Sequence, residues 1–523
     1  MALGVGRRES PGRGMGLGVH GLVACLAVLI AALPALADLQ RELERAIARS
    51  GLDGMDVGVS VVDLGTGRRV ADIGAFDAMI PASNMKLLTS ATALLIMGDQ
   101  FMFDTRFVLD GDRLIIVGSG DPGLGDPALL ADLPEPMDVE ALLDFMADAI
   151  VRAEPDAIRE VIIDDRVFDR NTVHEDWPHD QLQYYYCAEV GGLNFHLNIA
   201  NVFARPTSLN QPARIVLEPD ASGIEIENRT STARSRTSSG RPHASGISIL
   251  RLGDENRWRI SGEVSRPVGA PTALRDTAIV FGELLAERLE SHGLAVGAAH
   301  SLPADAVRRI EEGETYQGRP VLVIKTPIAE VLRRCNTDSY NMHAEALFKK
   351  LGQAVTSQPG SWTLGAATMR SELIDAIGPM SLDGLRVADG SGMSRENRVS
   401  PATLTALLAH MHTLSDESAR TLFRESLARS GEGTLRRGFI EPRELSHDVL
   451  AKTGYINHVR TISGYIVPKG GSEPVAAFSI MMNGFKMNES LRSRELRNAL
   501  VKLIDREAAR MGTGSMVVQP QNP

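Results

Sequence analysis

The stretch PASNMK at residues 81–86, followed by LLTSATALLIMG at 87–98, decides how this chain is interpreted. A proline and a short polar entry lead into an apolar run that a glycine closes, which predicts a helix ending at Gly98. Ser83 and Lys86 stand at the mouth of this helix, three positions apart. Residues at that spacing share one helix face, so the Ser83 hydroxyl is expected beside the Lys86 amine.

This Ser/Lys pair has a chemical use. Serine is a weak nucleophile unless a base lies nearby, and a lysine buried among apolar neighbours loses its charge and can act as that base. The helix N-terminus adds partial positive charge and free N–H groups that favour an oxyanion. The S-x-x-K spacing alone is a weak signal, because Ser83 also suits a helix cap.

Two later motifs favour the catalytic interpretation. DSYNMHAE at 338–345 contains Ser339 and Asn341 as S-x-N in a helical region, and AKTGYI at 451–456 contains K-T-G on a predicted strand. The order S-x-x-K, S-x-N, K-T-G is that of penicillin-binding proteins and class A β-lactamases. We therefore predict a serine acyl-transferase with Ser83 as the nucleophile and Lys86 as the base.

The S-x-N motif and the backbone have predicted roles in the same reaction. Ser339 relays a proton between Lys86 and the leaving amine, and Asn341 holds either the substrate amide or Lys86 itself. The oxyanion hole is expected to consist of the backbone N–H groups of Ser83 and Tyr455.

The K-T-G motif is predicted to bind substrate. Lys452 supplies positive charge and Thr453 a hydroxyl for a substrate carboxylate. Gly454 lets the substrate backbone approach the strand edge, so that the peptide binds by strand addition.

Beyond these motifs, the sequence resembles the class C low-molecular-mass penicillin-binding proteins, the D-Ala-D-Ala carboxypeptidase/endopeptidase family S13. The resemblance extends over about residues 40–510. It rests on several blocks: PASNMKLLTSATAL (81–94), SYNMHAEALFKKLG (339–352), VADGSGMSRENRVSP (387–401) and AKTGYINHVRTISGYI (451–466).

The resemblance implies a function and a location. Members of this family cleave peptidoglycan stem peptides through an acyl-enzyme, as carboxypeptidases or endopeptidases, and β-lactam antibiotics inhibit them covalently. They work in the periplasm or cell wall and need no metal or organic cofactor. The long segment between Lys86 and Ser339 matches the family's insertion and argues against a compact class A β-lactamase.

Tyr455 departs from the family pattern, which has Ser or Thr after K-T-G. One interpretation is an ordinary strand residue whose ring points elsewhere, since aromatic residues suit strands. The other is a bulky ring at the carboxylate site, which weakens exopeptidase action and favours crosslink hydrolysis. The tetrad Asp389-Gly390-Ser391-Gly392, with Ser394 and Arg395, is interpreted as a structural Gly-rich turn near the site floor.

The layout of the chain predicts its fold class. Residues 56–73 form a predicted hairpin near the start, and three strand-like runs lie between 447 and 483. We expect an α/β (α+β) protein with a serine β-lactamase/transpeptidase-like domain, in which a five-stranded antiparallel sheet is flanked by helices. This penicillin-binding domain comprises 38–101 and 325–510, and residues 102–324 form inserted β-rich domains with a nested subdomain at 203–265.

The two ends of the chain are predicted to lie outside the fold. Arginines followed by an apolar run and the A-x-A pattern at 35–37 indicate a signal peptide over 1–37, which predicts export to the periplasm; an uncleaved anchor is the alternative. Residues 511–523 are expected to be a disordered tail. Cys187 and Cys335 either pair in an oxidising compartment or remain free core thiols.

Composition limits the partners. The net charge of -11 argues against nucleic acid as the main partner, because phosphate binding needs a basic face. No segment beyond the N-terminal run is apolar enough to span a bilayer, so membrane contact is expected to be peripheral or absent, and no Cys/His cluster suggests a metal site. The alternatives to a D-Ala-D-Ala peptidase are a β-lactamase of the same fold and a non-catalytic cell-wall-binding protein.

Overall fold

The computed structural model describes residues 38–235, 244–298 and 300–511. The predicted signal peptide and nearly all of the predicted tail lie outside the described residues. The strands of the described part are β1 (Asp56–Asp63), β2 (Arg69–Ile73), β3 (Met102–Asp110), β4 (Arg113–Val117), β5 (Glu160–Asp164), β6 (Ile199–Arg205), β7 (Arg214–Glu218), β8 (Glu225–Thr232), β9 (Ser248–Arg251), β10 (Arg257–Val264), β11 (Val268–Ala273), β12 (Val307–Arg309), β13 (Arg319–Pro327), β14 (Ala428–Arg429), β15 (His447–Ile456), β16 (Val459–Pro468) and β17 (Ala476–Asn483).

The helices flank these strands. They are α1 (residues 38–48), α2 (Met85–Met97), α3 (Pro127–Ala131), α4 (Val139–Val151), α5 (Thr277–Ser291), α6 (Ile328–Asn336), α7 (Asn341–Thr356), α8 (Trp362–Ile377), α9 (Pro401–His412), α10 (Glu417–Glu425) and α11 (Ser490–Ala508). None of the helices in the described ranges is long and apolar enough to cross a membrane.

The main sheet joins the two ends of the described chain. Its strand order is β14-β15-β16-β17-β1-β2, and every neighbouring pair is antiparallel. The strands from the two ends of the chain meet where β1 pairs with β17, with Asp56 opposite Asn483. The predicted fold class is confirmed, with one addition: the two-residue strand β14 extends the expected five strands to six, because it pairs with Leu450 and Ala451 of β15, directly before the K-T-G motif.

Two apolar layers cover this sheet. On one face, α1 and α11 bury residues such as Leu43 and Leu500 against Ile480. On the other face, α2, α7, α8 and α9 bury a larger cluster that contains Leu88 and Leu347. Because a strand alternates its side chains between faces, β15 and β16 contribute to both layers.

The middle of the chain is rich in strands, as expected. A mixed five-stranded sheet has the order β12-β5-β4-β3-β13, and two three-stranded sheets have the orders β8-β10-β9 and β11-β6-β7. Helices α4 and α5 pack on the five-stranded sheet through a separate apolar cluster that includes Phe107, Leu143 and Phe281. This region therefore has a core of its own, while other residues of the region, such as Trp177 and Ile199, join the cluster that contains Leu88.

Candidate active site

Ser83 lies in a tight turn that the surrounding chain holds firmly. Residues Ala82–Asn84 form a single 3-10 turn directly before α2, and Ala82 has a φ of 46°, which is unusual for a residue with a side chain. Gly392 approaches so closely that a Cβ there would lie 1.8 Å from the Ala82 carbonyl oxygen. The Thr461 hydroxyl donates to the Pro81 carbonyl at 2.8 Å. The turn is therefore fixed by β16 on one side and the Gly-rich loop on the other.

Lys86 lies one helical turn from Ser83 and is fully buried. Its Nζ donates to Ser83 Oγ at 3.1 Å, to Asn341 Oδ1 at 2.7 Å and to the Ser391 carbonyl at 2.9 Å. All three acceptors are neutral, and no carboxylate among the described residues bonds to the amine. The arrangement directs the Lys86 nitrogen at the hydroxyl of Ser83.

Burial changes the acidity of this lysine. It lowers the pKa of Lys86 from 10.5 to about 8, against the opposing effect of the nearby Glu345 and Asp389 carboxylates. A lysine with this pKa is uncharged in a substantial fraction of molecules near neutral pH. In that form it has a lone pair with which to accept the Ser83 proton.

Ser339 and Lys452 form a second hydrogen-bonded pair. Lys452 Nζ donates to Ser339 Oγ and to the Thr453 carbonyl, each at 2.8 Å. Ser339 has a φ of 66°, so the turn before α7 takes a left-handed conformation that presents this hydroxyl. Burial and, secondarily, the charge of Lys86 hold the pKa of Lys452 well below its ordinary value.

Asn341 connects the motif residues with the inserted region. Besides accepting from Lys86, its side-chain amide donates to the Tyr186 carbonyl at 2.8 Å. Of the two roles predicted for Asn341, the geometry matches holding Lys86. The amide nitrogen is already engaged by the protein in this structure.

The K-T-G strand lies against the turn that carries Ser83. A Cβ on Gly454 would come within 2.2 Å of Thr461 Oγ1 and 3.0 Å of the Ser83 nitrogen. Glycine is therefore required here for the approach of β15 to the Ser83 turn, in addition to any contact with substrate. Thr453 is partly exposed, whereas Lys452 lies beneath the surface.

The Tyr455 ring packs on the neighbouring strand. Tyr455 is paired with Arg460 across β15 and β16, and the Arg460 guanidinium lies 4.8 Å from the ring centroid. Along β15 its side chain points to the face opposite that of Gly454, which faces the Ser83 turn. The geometry is that of the ordinary strand interpretation of Tyr455.

These residues border one cleft of about 1200 Å³. Of the predicted site residues, Ser83, Ser339, Asn341 and Tyr455 line the cleft, while Lys86 and Lys452 lie buried behind it. The opposite wall comes from the inserted region and includes Tyr185 and Tyr186 as well as two acidic residues. The lining contributed by that region includes Asp126, Asp176, Gln181, Tyr185, Tyr186, Leu197 and Asn201.

Two buried carboxylates, which the sequence analysis did not single out for this purpose, support Lys86 through the Gly-rich loop. Glu345 accepts from the backbone N–H groups of Gly390 and Ser391 at 3.0 and 2.7 Å and from the Trp362 indole at 2.8 Å. Burial and the neighbouring Asp389 raise the pKa of Glu345 to about 7. The loop interpreted as structural thus aims the Ser391 carbonyl at Lys86.

A buried ion pair supports the S-x-N turn. Arg334, at the end of α6, bonds both oxygens of Asp126 at 2.7 and 3.0 Å and also bonds Asp338. Its guanidinium lies 4.3 Å from the Tyr340 ring centroid. Since Asp126 caps α3 in the inserted region, this network ties that region to the turn carrying Ser339.

The two described cysteines do not pair. Cys187 and Cys335 are both buried free thiols, and Cys187 Sγ contacts Met393 Sδ at 3.4 Å. Of the two alternatives, the free core thiols are therefore the one found. Within the described ranges, no group of three or more His, Cys, Asp or Glu side chains is placed to hold a metal ion.

Comparison with known proteins agrees with the resemblance inferred from the motifs. The D-alanyl-D-alanine carboxypeptidase of Actinomadura sp. (strain R39) is 30% identical over 87% of this chain and 84% of its own length. The D-alanyl-D-alanine carboxypeptidase DacB of Haemophilus influenzae is 24% identical over 86% of this chain and 90% of its own. The crystal structure of penicillin binding protein 4 (dacB) from Haemophilus influenzae covers 89% of this chain and 99% of its own, with a TM-score of 0.67 and 21% identity.

A family model covers nearly all of the described chain. The model of the D-Ala-D-Ala carboxypeptidase 3 (S13) family matches residues 39–507, which include the Ser83, Ser339 and Lys452 motifs. The predicted family is therefore confirmed. The chain belongs to the D-Ala-D-Ala carboxypeptidase 3 (S13) family.

Proposed function

We propose that this penicillin-binding serine D-Ala-D-Ala carboxypeptidase works through an acyl-enzyme on Ser83. The observation that carries the assignment is the 3.1 Å contact between Ser83 Oγ and the Nζ of Lys86, a buried lysine bonded only to neutral acceptors. A serine next to a deprotonatable amine is an activated nucleophile. Membership of the S13 family supports the substrate, a peptide ending in D-Ala-D-Ala.

Acylation follows from this geometry. Ser83 Oγ attacks the carbonyl carbon of the penultimate D-Ala, a C–O bond forms, and the Ser83 proton passes to Lys86 Nζ. The backbone N–H groups of Ser83 and Tyr455 hold the resulting oxyanion. The peptide C–N bond then breaks as the proton held on Lys86 passes through Ser339 to the leaving amine of D-Ala, which leaves Lys86 uncharged again.

Deacylation returns the enzyme to its starting state. Water attacks the ester carbonyl and gives up a proton to Lys86. The ester C–O bond then breaks, and Lys86 passes that proton to Ser83 Oγ, which restores the hydroxyl and the uncharged amine. A β-lactam follows the first step in the same way, because opening its ring leaves an ester on Ser83. Rapid hydrolysis of that ester would make the protein a β-lactamase, the alternative with the same fold.

The K-T-G residues are assigned to the substrate's terminal carboxylate. Thr453 is partly exposed and offers its hydroxyl directly. Lys452 is fully buried and bonded to Ser339, so it acts on the carboxylate from behind Ser339 through its charge. Gly454 keeps the β15 edge clear for an extended peptide.

The cleft also supports an endopeptidase activity. Its volume of about 1200 Å³ exceeds the roughly 300–1,000 Å³ typical of small-molecule sites. A cross-linked peptide carries a second stem on the leaving side, which needs more space than a free D-Ala. The same acyl-enzyme chemistry serves both reactions.

The site also bears on location and organisation. A peptidoglycan peptidase has its substrate outside the cytoplasm, which fits the signal peptide predicted at 1–37 and a periplasmic location. We further assign residues 38–101 and 325–510 to a penicillin-binding domain and 102–324 to inserted domains with a subdomain at 203–265. The separate apolar core of the inserted strands supports that division.

Labelling with a fluorescent penicillin tests the nucleophile. The variant Ser83→Ala is expected to take up no label, whereas Ser472→Ala, which changes an exposed serine in the turn between β16 and β17, labels like the unchanged chain. Equal labelling of Ser83→Ala would refute the assignment. If the unchanged chain is not labelled and releases no D-Ala from muropeptides, it is a non-catalytic cell-wall-binding protein. Muropeptide digestion separates monomers that lose D-Ala from dimers that split.

A further inference from the structure

An arginine cluster lies beneath Tyr455, on the α11 face of the main sheet. It consists of Arg460 on β16 and of Arg494 and Arg497 on α11. Arg460 donates to Ser493 Oγ at 3.1 Å and to the carbonyl and hydroxyl of Ser490 at 3.2 and 3.1 Å. Tyr455 lines the catalytic cleft, and the Arg460 guanidinium lies 4.8 Å from its ring centroid, so Arg460 lies directly behind this part of the cleft wall.

The arginine cluster has no acidic partner. In the part of the chain that the structure describes, none of its members forms an ion pair, and Arg494 forms no hydrogen bond either. Arg497 bonds only the Gly438 carbonyl and the Asn498 side chain, and its guanidinium lies near the Phe439 ring. Other arginines in this chain bond two carboxylates each, as Arg288, Arg308 and Arg309 do.

The members of the cluster repel one another. Burial, then Arg460 and Arg494, lower the pKa of Arg497 to about 9. Burial lowers the pKa of Arg460 as well, and Arg494 lowers it further, opposed only by Tyr455. Three neighbouring cations are unfavourable in the folded protein unless an anion compensates them. The chain as a whole carries a net charge of -11, so this concentration of positive charge is a local exception.

We propose that Arg460, Arg494 and Arg497 form an anion-binding subsite that receives a carboxylate or phosphate group of the cell-wall polymer whose peptide occupies the cleft. The identity of this polymer rests on the proposed function. Three features support the subsite: free guanidinium donors on Arg494, the unused Nη1 of Arg460, and the contact of Arg460 with Tyr455, which lines the cleft. Guanidinium groups bind carboxylates and phosphates with paired hydrogen bonds.

Co-sedimentation with purified insoluble sacculi tests the subsite. All proteins carry Ser83→Ala so that the sacculi are not digested, and Arg494→Glu is compared with Arg492→Glu. The two arginines are exposed on the same helix and the charge change is identical, but Arg492 lies outside the cluster. Loss of one charge-assisted contact corresponds to an increase of about tenfold in the dissociation constant for Arg494→Glu. Arg494→Lys, which keeps the charge, is expected to retain most of the affinity.

The outcomes separate the sources of the anion. If the parent protein binds equally to sacculi stripped of phosphate polymers, the subsite takes a carboxylate; if it loses affinity, the subsite takes a phosphate. Equal binding by Arg494→Glu and Arg492→Glu overturns the proposal. Penicillin labelling of the same variants with Ser83 restored verifies the fold. It also distinguishes the two proposals, because failure of the subsite leaves labelling in place whereas failure of the proposed function abolishes it.

Discussion

The acidity of Lys86 makes the rate of acylation depend on pH. With a pKa of about 8, roughly one lysine in eleven is uncharged at pH 7, against about one in three thousand at the ordinary pKa of 10.5. Burial therefore increases the population of the basic form about 300-fold. This corresponds to about 3 kcal/mol of differential interaction between the protonation states of a fully buried amine.

The expected profile has a definite shape. Acylation requires uncharged Lys86, so the rate rises with pH: about tenfold from pH 6 to 7, about fivefold from pH 7 to 8, and less than twofold from pH 8 to 9. The assay is the second-order rate constant for labelling by a fluorescent penicillin, whose own carboxylate stays ionised over this range. Thermal unfolding at each pH checks that the fold persists.

Lys86→Arg is the matched control for this reasoning. Arginine keeps a cation near Ser83 but does not lose its proton in proteins, so labelling is expected to fall at least a hundredfold at every pH. A rate that is flat between pH 6 and 9, or that decreases with pH, would show that Lys86 is not the base. A Lys86→Arg variant whose labelling rate varies with pH as in the unchanged chain would also show that Lys86 is not the base.

Three further substitutions test the supports of the site. In Gly454→Ala, the new Cβ meets Thr461 Oγ1 at 2.2 Å, so β15 must move from the Ser83 turn; we expect slower penicillin labelling and a loss of about 1–3 kcal/mol in the unfolding free energy. In Glu345→Gln, the new amide nitrogen faces a backbone N–H group that donates to the carboxylate in the unchanged chain. We expect a loss of about 1–3 kcal/mol in the unfolding free energy, and slower penicillin labelling because the Ser391 loop shifts. In Arg334→Met, the fully buried Asp126 loses its partner, and the unfolding free energy is expected to fall by about 3–5 kcal/mol in urea denaturation.

For each of these three substitutions, one result would contradict the expectation. For Gly454, the control is Gly246→Ala, whose Cβ would meet nothing within 4 Å, and equal effects of the two would remove the steric argument. Normal labelling by Glu345→Gln would mean that the Ser391 carbonyl does not depend on this carboxylate. Unchanged stability of Arg334→Met would imply that Asp126 finds another partner or takes up a proton.

Much of the fold is predictable because its signals are local. The β1–β2 hairpin and strands β15, β16 and β17 show apolar runs broken by glycine turns, and their number predicts one antiparallel sheet. Strand β14 escapes such reasoning because two residues carry no periodicity. Its pairing with β15 depends on where the end of α10 places residues 428 and 429, which is a property of tertiary packing.

The candidate site also has a part that the sequence predicts and a part that only the assembled fold determines. The side chains of the three motifs are visible in the sequence, and the structure brings Lys86 within hydrogen-bond distance of both Ser83 and Asn341. The acceptor at Ser391 is a backbone carbonyl, which has no sequence signature. Glu345 is four positions after Asn341 on the same helix, but its partners belong to a loop distant in sequence. Such contacts follow only from the assembled fold.

The pairing of β1 with β17 has a consequence for biogenesis. Roughly 400 residues separate Ser83 from the end of β17 at Asn483. At about 5–20 residues per second, the ribosome needs on the order of 20–80 s to cover that distance. During this interval the turn that carries Ser83 lacks strands β15 and β16, which contact it in the folded chain. The chain is thus expected to be inert towards penicillin until its last strand arrives, and to depend on holding factors while it waits.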